Sequence, residues 1–218
     1  MRQWWQSKYI LGVGMVGMLL YILQSVIATI IWPAYRMAAY PLAILTAPDS
    51  QYASAFKGLQ LIAGLLIAVS IAALWRYSRY KEYTDLVKTV QQLILVWLVG
   101  VLLNFIWPLN SIVEAVLRPA VSARNIVFGL LIILLGWTIW RVGGAAQTHD
   151  MMTLANGLKL FAILYVLFNF LEFAVTLIGW QLSGFFDVLA IDVLAVAMGY
   201  ISWYFMRLAE WPFFLPSV

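Results

Sequence analysis

Polar and charged residues along the chain fall into short clusters that separate six long apolar runs, at about 9–32, 55–76, 88–107, 125–141, 153–180 and 186–207. Runs of about 20 residues, at about 1.5 Å of rise per helical residue, match a hydrocarbon core of about 30 Å. The pattern predicts an all-α polytopic membrane protein, a six-transmembrane-helix bundle forming a single domain over residues 1–218. The first run follows Arg2 and Lys8 but continues unbroken from Tyr9 to Ile31, with no small-x-small site straight after it. It is therefore expected to be a retained helix and not a cleaved signal peptide.

Trp-Pro pairs at Trp32-Pro33, Trp107-Pro108 and Trp211-Pro212 punctuate the pattern. Tryptophan favours the membrane interface, and proline disfavours helical geometry in the residue before it, so each pair marks a helix end. With Trp180, these anchors place the ends of the odd-numbered helices near 32, 107 and 180, a spacing that hints at three related hairpins.

The polar clusters differ in charge. Arg2, Lys8, Arg76, Arg79, Lys81, Lys88, Arg141 and Arg207 fall on one side, against Arg36, Lys57, Arg118 and Arg124 on the other. Lysine and arginine enrich cytoplasmic loops, which predicts that both the N-terminus and the C-terminus are cytoplasmic. Composition agrees with the membrane reading: hydrophobic residues make up 65% of the chain and charged residues 10%, with mean hydropathy +0.94, leaving too little polar surface for a soluble globule. The net charge of +4 belongs to orientation signals beside the spans, and no nucleic-acid partner is expected.

Two outer connections are unusual. Residues 33–56 are long and apolar for a loop, so they are expected to lie in the interface or dip back toward the bundle. In 111-SIVEAVLR-118, Ser111 and Glu114 have capping-box spacing and Glu114 precedes Arg118 by four, which predicts a short interfacial helix. Together the two connections could roof the outer face.

Beneath them lies a layer of polar residues. Tyr165, Asn169, Glu172 and Thr176 share one face of the fifth helix. A charge near the bilayer centre costs about 2.5–3.5 kcal/mol on insertion scales, so Glu172 is expected to face protein or water. Glu172 stands eight positions before Trp180 and Gln24 eight before Trp32, both roughly 12 Å below the outer boundary. Asp192 reaches a similar depth on the sixth helix, along a face continued by Ala195, Gly199 and Ser202; Gly17, Tyr21, Gln24 and Ala28 form a comparable stripe on the first. Lys57, Gln60, Asn104 and Asn125 complete the layer. Singly, Gln24, Asn104 and Asn169 fit interhelical hydrogen bonding; Glu172 with Asp192 points to function, because intramembrane acids are seldom kept for packing. Asp187, near the headgroups, reads as a solvated acid at a helix start.

The expectation is an outward-facing polar pocket that binds or transports a small molecule, lipid headgroup or cation, with Glu172, Asp192, Asn169, Gln24, Gln60, Asn104 and Tyr165 as its ligand-binding residues. Two nearby carboxylates cannot both ionise cheaply there unless Lys57 or Arg124 approaches. An alternative is a non-enzymatic accessory or immunity-type protein that presents its outer loops, with Tyr35, Tyr40 and Tyr52, to a partner. A carboxylate-dependent intramembrane enzyme using Glu172 and Asp192 is a third. With one histidine, His149, and no cysteine, bis-histidine haem and thiolate or histidine-rich zinc sites are not available, and no cofactor, metal or catalytic set is expected. His149, in 142-VGGAAQTHDMM-152, reads as a loop histidine in a short cytoplasmic turn.

At 32-WPAYRMAAYPLAILTAPDSQYASAF-56 the chain resembles the domain-of-unknown-function 998 family of six-helix bacterial membrane proteins, and 106-IWPLN-110 is similar to that family's Phe-Pro-Leu element. The chain departs from the family at 43-AIL-45, where a Ser-Asp/Glu-Leu triplet is frequent, and at 124-RNIVF-128, where a histidine is frequent. The resemblance implies a six-helix fold and a bacterial plasma membrane, and no activity.

Overall fold

A computed structural model describes residues 4–112 and 122–209. Six helices long and apolar enough to cross a membrane make up nearly all of it: α1 (Lys8–Ile31), α2 (Ala53–Tyr80), α3 (Thr84–Ile106), α4 (Ala123–Gln147), α5 (Met152–Ile178) and α6 (Ser183–Ala209). The described residues contain no strand. In hydrocarbon each backbone amide must find its partner within its own segment, so long apolar runs fold as helices whatever their individual propensities. These features make it a multi-pass membrane protein.

The helix ends follow from local chemistry. Trp32 and Trp107 cap α1 and α3, their amides donating to the carbonyls of Ala28 and Leu103, with proline next in each case. The Trp-Pro element at 211–212 lies outside the described residues, as do Glu114 and Arg118 of the expected interfacial helix. Gly179, at φ 78°, ends α5 in the left-handed conformation that only glycine adopts without strain. The Ser122 hydroxyl accepts from the Asn125 amide and starts α4.

One expected turn is helical. α4 continues through 142-VGGAAQ-147 because Gly143 lies against the Ala155 carbonyl, and Val142, Ala145 and Ala146 are buried. Gly143 lets α4 and α5 approach closely.

Consecutive helices pack side by side in antiparallel fashion, and α6 closes the ring against α1 while also touching α2. The start of α1 and the end of α6 therefore share one end, the basic end. There the interior is filled by Ile71, Leu74, Leu86, Leu93, Ile139, Leu154 and Phe205. Small residues set the closest approaches: Gly14 meets Ser70 and Ser202, Gly17 meets the Ala63 carbonyl, and Gly199 meets Met18. The Gly17 stripe thus faces α2, and the stripe through Gly199 and Ser202 faces α1.

At the other end, the connection between α1 and α2 folds over the bundle as a roof. Tyr35, Leu42, Ile44, Leu45 and Ala47 are buried, and a 3-10 turn spans Leu42–Thr46. The roof packs on Ala28, Phe56 and Val188. It is pinned to the first turn of α6: the Phe185 amide donates to the Ala38 carbonyl, and the Ser183 hydroxyl donates to the Ala39 carbonyl. Gly184 lies directly beneath it, where a Cβ would come within 2.4 to 2.5 Å of backbone atoms of Met37 and Tyr40.

Gly184→Ala should therefore displace the roof and cost about 1–3 kcal/mol, the usual range for overpacking. Gly129→Ala, where nothing lies within 4 Å, should not. Thermal unfolding in detergent, with amide exchange over residues 37–46, checks the contrast; equal behaviour of the two variants would mean the roof is not held at Gly184.

Candidate functional site

The roofed half carries two separate polar assemblies. The first is an amide relay. Gln60 Nε2 donates to Gln24 Oε1 at 2.8 Å, and Asn104 Nδ2 donates to Gln60 Oε1 at 2.6 Å. Three of the sequence-derived site residues, from α1, α2 and α3, are thus joined. Depth matching found them because a fixed rise per residue converts sequence position into level. The Tyr21 hydroxyl donates to the Gln60 carbonyl, and one turn deeper Trp97 Nε1 donates to the Gly64 carbonyl at 2.9 Å, which sets the spacing of the three helices. A recess between α2 and α3 opens onto the relay, with Lys57 among its lining residues.

Asp192 stands at the far side of this relay. Running the antiparallel register from the Gly14–Ser202 and Met18–Gly199 contacts toward the roof brings Asp192 level with Gln24 and Ser25. Its Oδ1 is buried without a hydrogen-bond partner, and so is Gln24 Nε2, although Gln24 is only 1% exposed.

The second assembly centres on Asp187. Its Oδ2 accepts from the Leu42 amide at 2.6 Å and clamps the roof to α6. Arg124 and Glu172 both lie within its electrostatic reach. Asp187 was expected to be solvated at the headgroups. Instead the roof folds over it and half-buries it, a tertiary effect that its position near the start of α6 could not reveal. Depth matching also pairs Glu172 with Asp192, whereas the acid whose charge acts on Glu172 is Asp187. Five residues along a helix is a rotation of about 140° from one side to the other, so depth alone could not choose between the two acids.

The surroundings are neutral or cationic. Arg124 Nε donates to the Trp107 carbonyl at 3.0 Å, and its guanidinium lies 4.2 Å from the Phe128 ring centre. Tyr165 is buried within reach of the Asp187 charge. Asn169 spends its Nδ2 on the Tyr165 carbonyl, and Thr176 donates to the Glu172 carbonyl. Outside the spans, Tyr35 stacks on Trp32 and donates to the Tyr40 carbonyl; burial, with the Asp187 charge adding to it, pushes its phenol upward.

The basic end holds no comparable assembly among the described residues. Lys159 donates to Gln147 Oε1 and lies over Trp140, and Arg141 donates to Gln92 Oε1. His149 stacks on Tyr83 at 3.9 Å, which ties the turn after α4 to the turn after α2. No cluster of three or more potential metal ligands occurs among the described residues. No protein-family model, curated protein or solved structure matches the chain.

Gln60 is the centre of the relay, so Gln60→Leu removes two side-chain bonds at once and strands a buried amide. The expected loss is about 1–3 kcal/mol, against about 0.6 kcal/mol for a typical interhelical bond in a membrane. Denaturant-driven unfolding in mixed micelles measures it, and a loss below the typical value would show that the relay is not a unit.

Proposed function

We propose that this protein binds, and passes across the bilayer, a small cation, inorganic or organic, at the Glu172–Asp187 centre beneath the roof. The excess of lysine and arginine at the other end supports an orientation with the roof outside and both termini in the cytoplasm. The resemblance of residues 32–56 and 106–110 adds a bacterial plasma membrane to that proposal. The observation that carries the reading is the charge balance. Glu172 and Asp187 stand within reach of each other at the roofed end, and the base acting on Asp187 is Arg124. Two acids against one base leave one negative charge, which a low-dielectric site must offset with a proton or a cation. Glu172, whose carboxylate is not tied to the roof, is the anchor; Asp187 fixes the geometry, and Tyr165 and Asn169 form the neighbouring wall. Gln24, Gln60, Asn104 and Asp192 belong to the other assembly.

The accessory reading draws less support. Of the tyrosines that could meet a partner, Tyr35 is buried and Tyr40 and Tyr52 are half-buried beneath their own loop.

Thermal unfolding of the detergent-solubilised protein across sodium, potassium, magnesium and quaternary ammonium salts, at matched ionic strength, tests the proposal. A cation at 100 times its Kd should stabilise the wild type by about 2.7 kcal/mol. Glu172→Gln should abolish that response, and Asp192→Asn should leave it in place. If no cation separates the wild type from Glu172→Gln, the cation reading is wrong. If alteration of Arg36, exposed on the roof, instead abolished capture of a defined partner, the accessory reading would replace it.

A further inference from the structure

The recess between α2 and α3 has the opposite charge from the acid centre and lies elsewhere on the ring. Its polar floor is Gln60 and Asn104, its walls are Tyr21 of α1 with Leu61, Val101 and Phe105, and Lys57 stands among them. Lys57 is half-buried, and no carboxylate is among the residues lining the recess. A lysine that only snorkelled would leave its ammonium in water or among headgroups. Here it lines a concavity together with two amides that each keep an N–H beyond the bonds of the relay. Convergent donors around one fixed positive charge fit an anion with several acceptor oxygens.

Depth and surroundings narrow the class. Lys57 is the fifth residue of α2, and Asn104 lies two residues before the end of α3, which places both within about 6 Å of the roofed ends of their helices, at headgroup level. Beyond the recess the same two helices present Ile62, Leu65 and Leu102, all exposed along the membrane-facing side. A free anion would gain nothing from that apolar surface, whereas an acyl chain would cover it. A zwitterionic headgroup would bring an amine to a site without an acid.

We propose that this recess binds an anionic membrane phospholipid, with its phosphate oxygens on Lys57 and the amides of Asn104 and Gln60, and an acyl chain along Leu61 and Phe105. Because the relay forms the floor, the headgroup rests against Gln60, and through it against Gln24. The site is independent of the cation centre, and neither proposal requires the other.

Native mass spectrometry of the full chain in mild detergent, with phosphatidylglycerol or phosphatidylcholine of matched chains, reads out the site. Wild type should retain one phosphatidylglycerol in preference to phosphatidylcholine. Lys57→Gln should reduce that retention about tenfold, the order expected for one charge-assisted contact. Lys57→Arg should restore it, which separates a lost charge from a damaged fold, and Asn104→Leu should weaken it severalfold. Arg36→Gln, a charge removed from the exposed roof, and Glu172→Gln should leave it unchanged. Equal retention of the two lipids, an equal loss with Arg36→Gln, or displacement of the lipid by excess inorganic phosphate would each overturn the proposal, the last in favour of a soluble anion.

Discussion

The hydrogen bond from the Leu42 amide to the Asp187 carboxylate is the contact on which the roofed end depends. A connection as apolar as residues 33–52 cannot stay in water, and once it folds onto the bundle its backbone amides need acceptors that no neighbouring strand supplies. α6 provides one in Asp187, the fifth residue of the helix. The bond therefore does two things together. It holds the 3-10 turn over the bundle, and it keeps a charged group at a depth where hydration no longer offsets its cost. The field of Asp187 then reaches Tyr35, Arg124, Tyr165 and Glu172, so the roof and the acid centre are one construction.

Between helices immersed in lipid, apolar side chains gain little by leaving their surroundings, and association rests on close packing and polar bonds. The two ends of this bundle divide those means. Toward the basic end, Gly14, Gly17, Gly136, Gly143 and Gly199 let helices approach until a Cβ would touch a neighbour, and large aliphatic side chains fill the interior. Toward the roof, packing at Gly184 and around Ala28, Phe56 and Val188 is joined by side-chain hydrogen bonds at Gln60, Asp187 and Ser183, each worth on the order of 0.6 kcal/mol. Interdigitated packing resists any shift, while a polar joint can exchange one partner for another at small net cost. A ligand that rearranges the molecule would act at the roofed end.

Much of this was legible in the chain. Helix number and approximate limits followed from length and hydropathy, because the bilayer fixes how long an apolar run must be. The sequence puts Gln24, Gln60 and Asn104 in one outer polar layer with Glu172 and Asp192, and the structure joins the three amides by hydrogen bonds. Direction around the helix axis was not legible: depth set Asp192 and Glu172 at one level, yet their helices turn them to different neighbours. Asp187 reads as a solvated acid because sequence position puts it at the boundary, and only a roof built from residues 144 or more positions away half-buries it. The turn expected at 142–152 begins later because Gly143, between membrane helices, marks close contact and continues α4. Gly179 also went unread, although a glycine just past a long apolar run is the usual signal of a left-handed cap.

The arrangement of charge in the roofed half is itself an argument for ligands. Lys57 and Glu172 lie near the same end of their helices and carry opposite charge, and pairing them would relieve both. The fold keeps them on different sides of the ring: Lys57 beside neutral amides and apolar walls, Glu172 beside a second acid. The relay beneath Lys57 is built of three uncharged side chains. A bundle organised only for stability would bring such charges together or replace them with leucine. Lys57 is left among neutral and apolar groups at headgroup level, and Glu172 beside a second acid on which Arg124 acts as the base; under the two proposals, a phospholipid phosphate and a cation supply the remaining counter-charge.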